Sequence, residues 1–124
     1  MDKITKLTLE ELVRRKEQML EKKKQKKTKK FFIESLGGSI TVTAPDRHLV
    51  ADAQSMEDPD AYLVYEVVTE PSLKKLSQEY ECGIPTDIVD IIFKGSEVGA
   101  IVKAALELGG YHNGIVKPVE EIKN

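Results

Sequence analysis

Beyond residue 45 this chain never runs more than a dozen or so residues without a helix cap or a helix breaker. Asp46, Asp58-Pro59, Glu70-Pro71, Cys82-Gly83, Thr86, Gly95-Ser96 and Gly109-Gly110 set the punctuation. An Asp or Thr side chain accepts from the free N–H groups that open a helix. A proline fits the first turn but stops a helix running into it, and paired glycines release the chain from helical geometry. Such a chain can fold only as short helices that bury their apolar sides against one another.

The segments between these marks bear that out. Asp46 caps a short helix around Leu49, Val50 and Ala53, and Asp58-Pro59 opens "DAYLVYEVVT", which Glu70-Pro71 ends. The Val64–Val68 content of that segment suits a strand as well; its flanking caps favour a helix. "SLKKLSQEY" puts Leu73, Leu76 and Tyr80 on one side and closes at Cys82-Gly83. Thr86 can cap "DIVDIIF", and Gly95-Ser96 separates it from "EVGAIVKAALELGGY". There Val98, Ile101, Val102, Ala105 and Leu106 form the clearest amphipathic stripe in the chain.

Upstream the texture differs. Thr8 and Glu11 form a capping-box pair before a stripe of Leu9, Leu12, Val13 and Leu20, interrupted by Lys16 and flanked by Met19. After Leu20 the run "EKKKQKKTKK" offers nothing to bury and is expected to fray or protrude. Phe31–Glu34 and Ile40–Thr43 then read as a β-hairpin turning at Gly37-Gly38. The expected fold is mainly α within the α+β class: about five short helices with a hairpin near the N-terminal third. The expected organisation is a helix and basic arm over 1–30, one domain over 31–111, and a flexible tail over 112–124.

Charge follows this division. Residues 1–30 hold twelve Lys/Arg against five Asp/Glu, a net +7, whereas residues 31–124 hold seven against sixteen, a net −9. A basic arm is joined to an acidic body. No apolar run approaches the roughly 18 residues of a membrane helix, and the single cysteine excludes an internal disulfide. A cytosolic, reducing setting is expected.

Catalytic and metal chemistry find no footing. His48 and His112 are the only histidines, and neither has a ligand partner at metal-motif spacing. Cys82 falls at a helix C-terminus, where the dipole disfavours a thiolate; it reads as a half-buried turn residue. The glycine pairs match neither a phosphate loop nor a dinucleotide fingerprint. No enzyme, cofactor or metal is expected. "KKKQKKTKK" could grip phosphates, yet no aromatic residue interleaves it before Phe31 and the body behind it is acidic. A helix-turn-helix rhythm in "KKLSQEYECGIPTDIVDIIFKG" fails as a DNA reader, because its second helix would present Asp87 and Asp90 to the phosphates.

The ordered motifs "YEVVTEPSLK" (Tyr65–Lys74), "PTDIVDIIF" (Pro85–Phe93), Gly95–Glu97 and "ALELGGY" (Ala105–Tyr111) resemble the XkdN-like phage tail assembly chaperones of PBSX-type prophages and contractile-tailed phages of Gram-positive bacteria. "ITKLTLEELVRRKEQ" (Ile4–Gln18) is similar to that family's start, while residues 22–60 match only in outline. The resemblance implies a helical adaptor, active in the host bacterial cytoplasm, that keeps the tape measure protein soluble and helps recruit tail tube subunits. Such an adaptor leaves before the virion is complete. Its partners would be the tape measure protein, the major tail tube protein and further copies of itself. Helical partners need apolar grooves, and the residues expected to supply one are Ile88, Ile91, Ile92, Phe93, Val98, Ile101, Val102 and Leu106, with Val98 at its exposed mouth. A nucleic-acid-binding regulator using the basic arm and a structural tail component are the alternatives.

Overall fold

A computed structural model describes residues 6–111. The expected tail over 112–124, with His112, lies outside the described residues. Thr8 opens α1 (Leu9–Arg14), its Oγ1 accepting from the Glu11 N–H at 3.2 Å. Arg15 leaves helical geometry for one residue before α2 (Lys16–Lys24). Helical bonds bridge the joint: Arg15 N–H donates to the Glu11 carbonyl and Met19 N–H to that of Arg15. The Glu11 carboxylate also accepts from the guanidinium of Arg14 and, at 2.8 Å, from that of Arg15. Helix continues through the lysines after Leu20 because Lys, Glu and Gln are good helix formers and late cations suit the dipole.

β1 (Thr28–Ile33) and β2 (Gly38–Thr43) pair antiparallel from Thr28↔Thr43 to Ile33↔Gly38. The boundary expected at residue 30 therefore falls inside a strand, since Lys29 and Lys30 lie opposite Val42 and Thr41. A 3-10 turn over Glu34–Leu36 joins the strands, and Gly37 takes a φ of +64° that a side chain would strain.

Asp46 caps α3 (Arg47–Gln54) through Oδ1, which accepts from Leu49 N–H at 2.8 Å. Asp58 caps α4 (Pro59–Val67) in the same way, with Pro59 in the first turn. The helix expected to reach Glu70 stops at Val67, and β3 (Val68–Glu70) replaces its end. Val68 and Glu70 pair with Val42 and Thr41 on the free side of β2, with an irregularity between Thr41 and Val42, and the sheet order is β1-β2-β3. α5 (Leu73–Glu79) is capped by Ser72 and buries Leu73. Tyr80, expected on the same buried side, is 53% exposed. It sits past the helix end, followed by Glu81 at a φ of +54°, so the helical projection no longer places it.

α6 (Asp87–Ile92) opens on backbone turn bonds from Asp87, Ile88 and Val89, and Thr86 makes no side-chain cap. α7 (Gly95–Leu108) takes Gly95-Ser96 into its first turn, where the Glu97 carboxylate accepts from Lys94 N–H at 2.7 Å. Gly110, at a φ of +81°, ends the helical chain. α4 is the hub, packing against α3, α6, α7 and β3. Its own Val64 and Val67 are fully enclosed, as are Val42, Leu73, Ile88 and Val89 from the elements around it. The result is the expected small α+β domain.

Candidate protein-binding surfaces

The residues expected to form a groove between α6 and α7 divide by depth. Ile88, Phe93, Val98 and Ile101 are buried in the core, at 0%, 3%, 7% and 4% exposure. Ile92, Val102 and Leu106 are half-buried against it. Ile91 alone stands out, 54% exposed. The exposed position expected for Val98 is thus corrected: the side chain opening the α7 stripe faces inward. "DIVDIIF" is apolar mainly because α6 packs against α4, α5 and α7.

Open apolar surface lies elsewhere. A groove of about 400 Å³ runs between β1, an edge strand, and α7. Phe31, Phe32 and Ile33 form one wall, while Ala100, Ile101 and Ala104 form the other. Phe32 is 68% exposed. Ala100 and Ala104, one turn apart, leave room for an approaching backbone. Glu34, Ser96 and Glu97 line one end. There the Ser35 hydroxyl donates to Glu97, tying the hairpin turn to α7. This bond, then that from the Lys94 N–H, holds the Glu97 carboxyl below the ordinary range. Beyond Phe31 and Ala104 the surface continues to Lys27, Lys29, Glu107 and Leu108, and Lys29 Nζ lies 5.6 Å from the Phe31 ring centroid. One signal for this groove was legible: a strand with adjacent phenylalanines must turn one of them away from the side its neighbour faces.

A second groove, of about 580 Å³, lies between the turn joining α3 to α4 and the start of α6. Met56, Tyr62 and Ile84 give it an apolar floor, and Glu57, Asp58, Asp87 and Asp90 surround it with no Lys or Arg among the lining residues. Burial first, then the charges of Glu66 and Asp52, pushes the Tyr62 phenol up.

Cys82 is half-buried in the turn after α5, as expected, and its N–H donates to the Ser77 carbonyl at 2.9 Å. His48 is exposed on α3, also as expected. Among the described residues no group of three or more His, Cys, Asp or Glu is arranged to hold a metal. Nor is any of their helices long and apolar enough to cross a membrane. No family model matches this chain, and neither a curated protein nor a solved structure matches it.

Proposed function

We propose that the chain is a non-enzymatic tail assembly chaperone, binding amphipathic helical segments of a phage tape measure protein and keeping them soluble until tail tube subunits assemble. The reading rests on the ordered motifs that resemble the XkdN-like family. The observation that carries it on the structural side is the open apolar groove between β1 and α7. Apolar side chains spaced along one helix face can enter it between Phe31 and the two alanines. The exposed Phe32 beside the groove adds an aromatic anchor of the kind binding surfaces use, which supports this reading.

The test is co-expression with the tape measure protein. Wild type should hold it in the soluble fraction. Phe32→Glu, at a site already in solvent, should shift stability by no more than about 0.5 kcal/mol and yet let the partner precipitate. A folded Phe32→Glu protein that still solubilises the partner would move the binding surface elsewhere, and a wild type that fails would end the proposal. A nucleic-acid reading draws on one observation, Lys29 and Lys30 directly followed by Phe31 and the exposed Phe32 along one strand. It requires DNA or RNA binding that falls steeply with salt. Presence in purified virions would instead indicate a structural component.

A further inference from the structure

The N-terminal helical arm presents an apolar face that its own chain leaves uncovered. Leu9, Leu12, Val13 and Leu20 are 43–80% exposed, and neither α1 nor α2 packs extensively on the body. Within α1, Leu9, Leu12 and Val13 share a side at i, i+3 and i+4, and within α2 Lys16 and Lys23 flank Leu20 at i−4 and i+3. The arm therefore offers exposed apolar residues beside cations. Whatever covers it must offer both apolar and acidic side chains.

The groove between the α3–α4 turn and α6 has that character. Met56 and Ile84 are 41% and 62% exposed, and four carboxylates surround them with no cation among the lining residues. We infer that the α1–α2 arm of one copy docks into this groove on a second copy, so that the protein self-associates through arm exchange. The leucines meet Met56 and Ile84, and Lys16 and Lys23 face the carboxylates. Two copies can each donate an arm and accept one, which closes a dimer; an exchange that does not close adds further copies. The surface is separate from the groove between β1 and α7, and the inference stands without the chaperone reading.

Sedimentation velocity of the isolated full chain across a concentration and salt series tests this. Wild type should associate as concentration rises, and less so at high salt. Lys16→Glu with Lys23→Glu makes the arm acidic, and Glu57→Lys with Asp90→Lys makes the groove basic. Each double variant alone should lose about tenfold or more in association. Mixed in equal amounts they should associate again, because each arm then meets a groove of opposite charge. All four positions are exposed, and circular dichroism checks that both variants fold. A wild type that stays monomeric throughout overturns the inference. So do double variants that associate like wild type, and folded variants whose mixture stays monomeric. No tape measure protein is present, so the result is independent of the chaperone assay.

Discussion

Val98→Glu and Ala100→Glu, two residues apart on α7, should behave very differently. Val98 is 7% exposed and packs into the core, whereas Ala100 is exposed in the groove beside β1. Taking the Val98 side chain out of the core forfeits about 1.5–3 kcal/mol. The introduced carboxyl must then remain charged among apolar neighbours or take up a proton. Neutralising a glutamate with an ordinary pKa of about 4.3 at pH 7 costs about 1.36 kcal/mol per unit, hence about 3.7 kcal/mol. The two effects come to about 5–7 kcal/mol, against about 5–15 kcal/mol for a whole domain. The sign of the pH dependence follows. The introduced carboxyl has its folded pKa raised, so above the unfolded value the native state binds more protons and stability falls as pH rises. Moving from pH 7 to pH 5 should therefore return about 2.7 kcal/mol. Ala100→Glu should stay within about 0.5 kcal/mol of wild type and show no such recovery. Urea unfolding at both pH values reads this directly. A Val98→Glu protein as stable as wild type, with a flat pH response, would refute the inward placement of Val98.

Deleting residues 1–24 should leave the stability of the body, measured dilute, within about 0.5 kcal/mol, because α1 and α2 do not pack extensively on it. Extending the deletion through Lys30 removes three of the six cross-strand pairs between β1 and β2 and should cost about 1–3 kcal/mol by chemical unfolding. Asp46→Ala should lower stability by about 1 kcal/mol through loss of the α3 cap. The Leu49 N–H bond holds the Asp46 carboxyl below its ordinary range. The cap's charged form therefore contributes fully above the unfolded pKa and is lost as pH falls through the folded one. Melting curves of variant and wild type should converge in strongly acidic solution.

The helical body was legible because its boundaries are local. Asp46 and Asp58-Pro59 act within three residues of themselves, and sequence alone shows them. The failures at β1, β3 and α7 share a cause: each depends on a partner distant in sequence. β3 exists because β2 offers an open side, which "VVTE" cannot reveal. Lys29 and Lys30 enter a strand because Val42 and Thr41 lie opposite them. The α7 stripe was read correctly as amphipathic, yet amphipathy does not say whether a helix turns its apolar side to its own core or to a visitor. Contact with α4 decided this for Val98 and Ile101. Ile91, in the same apolar run, is left outside because six residues of helix cannot turn every side chain inward.

The arm and the acid-lined groove have complementary surfaces. A helix of about 12–15 residues is marginal in water without tertiary packing, and the Glu11 pairs with Arg14 and Arg15 are surface contacts that stabilise it only weakly. The groove gathers Glu57, Asp58, Asp87 and Asp90 around one opening with no Lys or Arg among its lining residues. Bringing Lys16 and Lys23 to those carboxylates pairs opposite charges while the leucines leave water. Both gains come from a single contact. In the groove between β1 and α7, Glu97 is already engaged by Ser35 and the Lys94 N–H. That surface can remain open for another protein while the arm is occupied, which is the arrangement a carrier needs if self-association and cargo are not to compete.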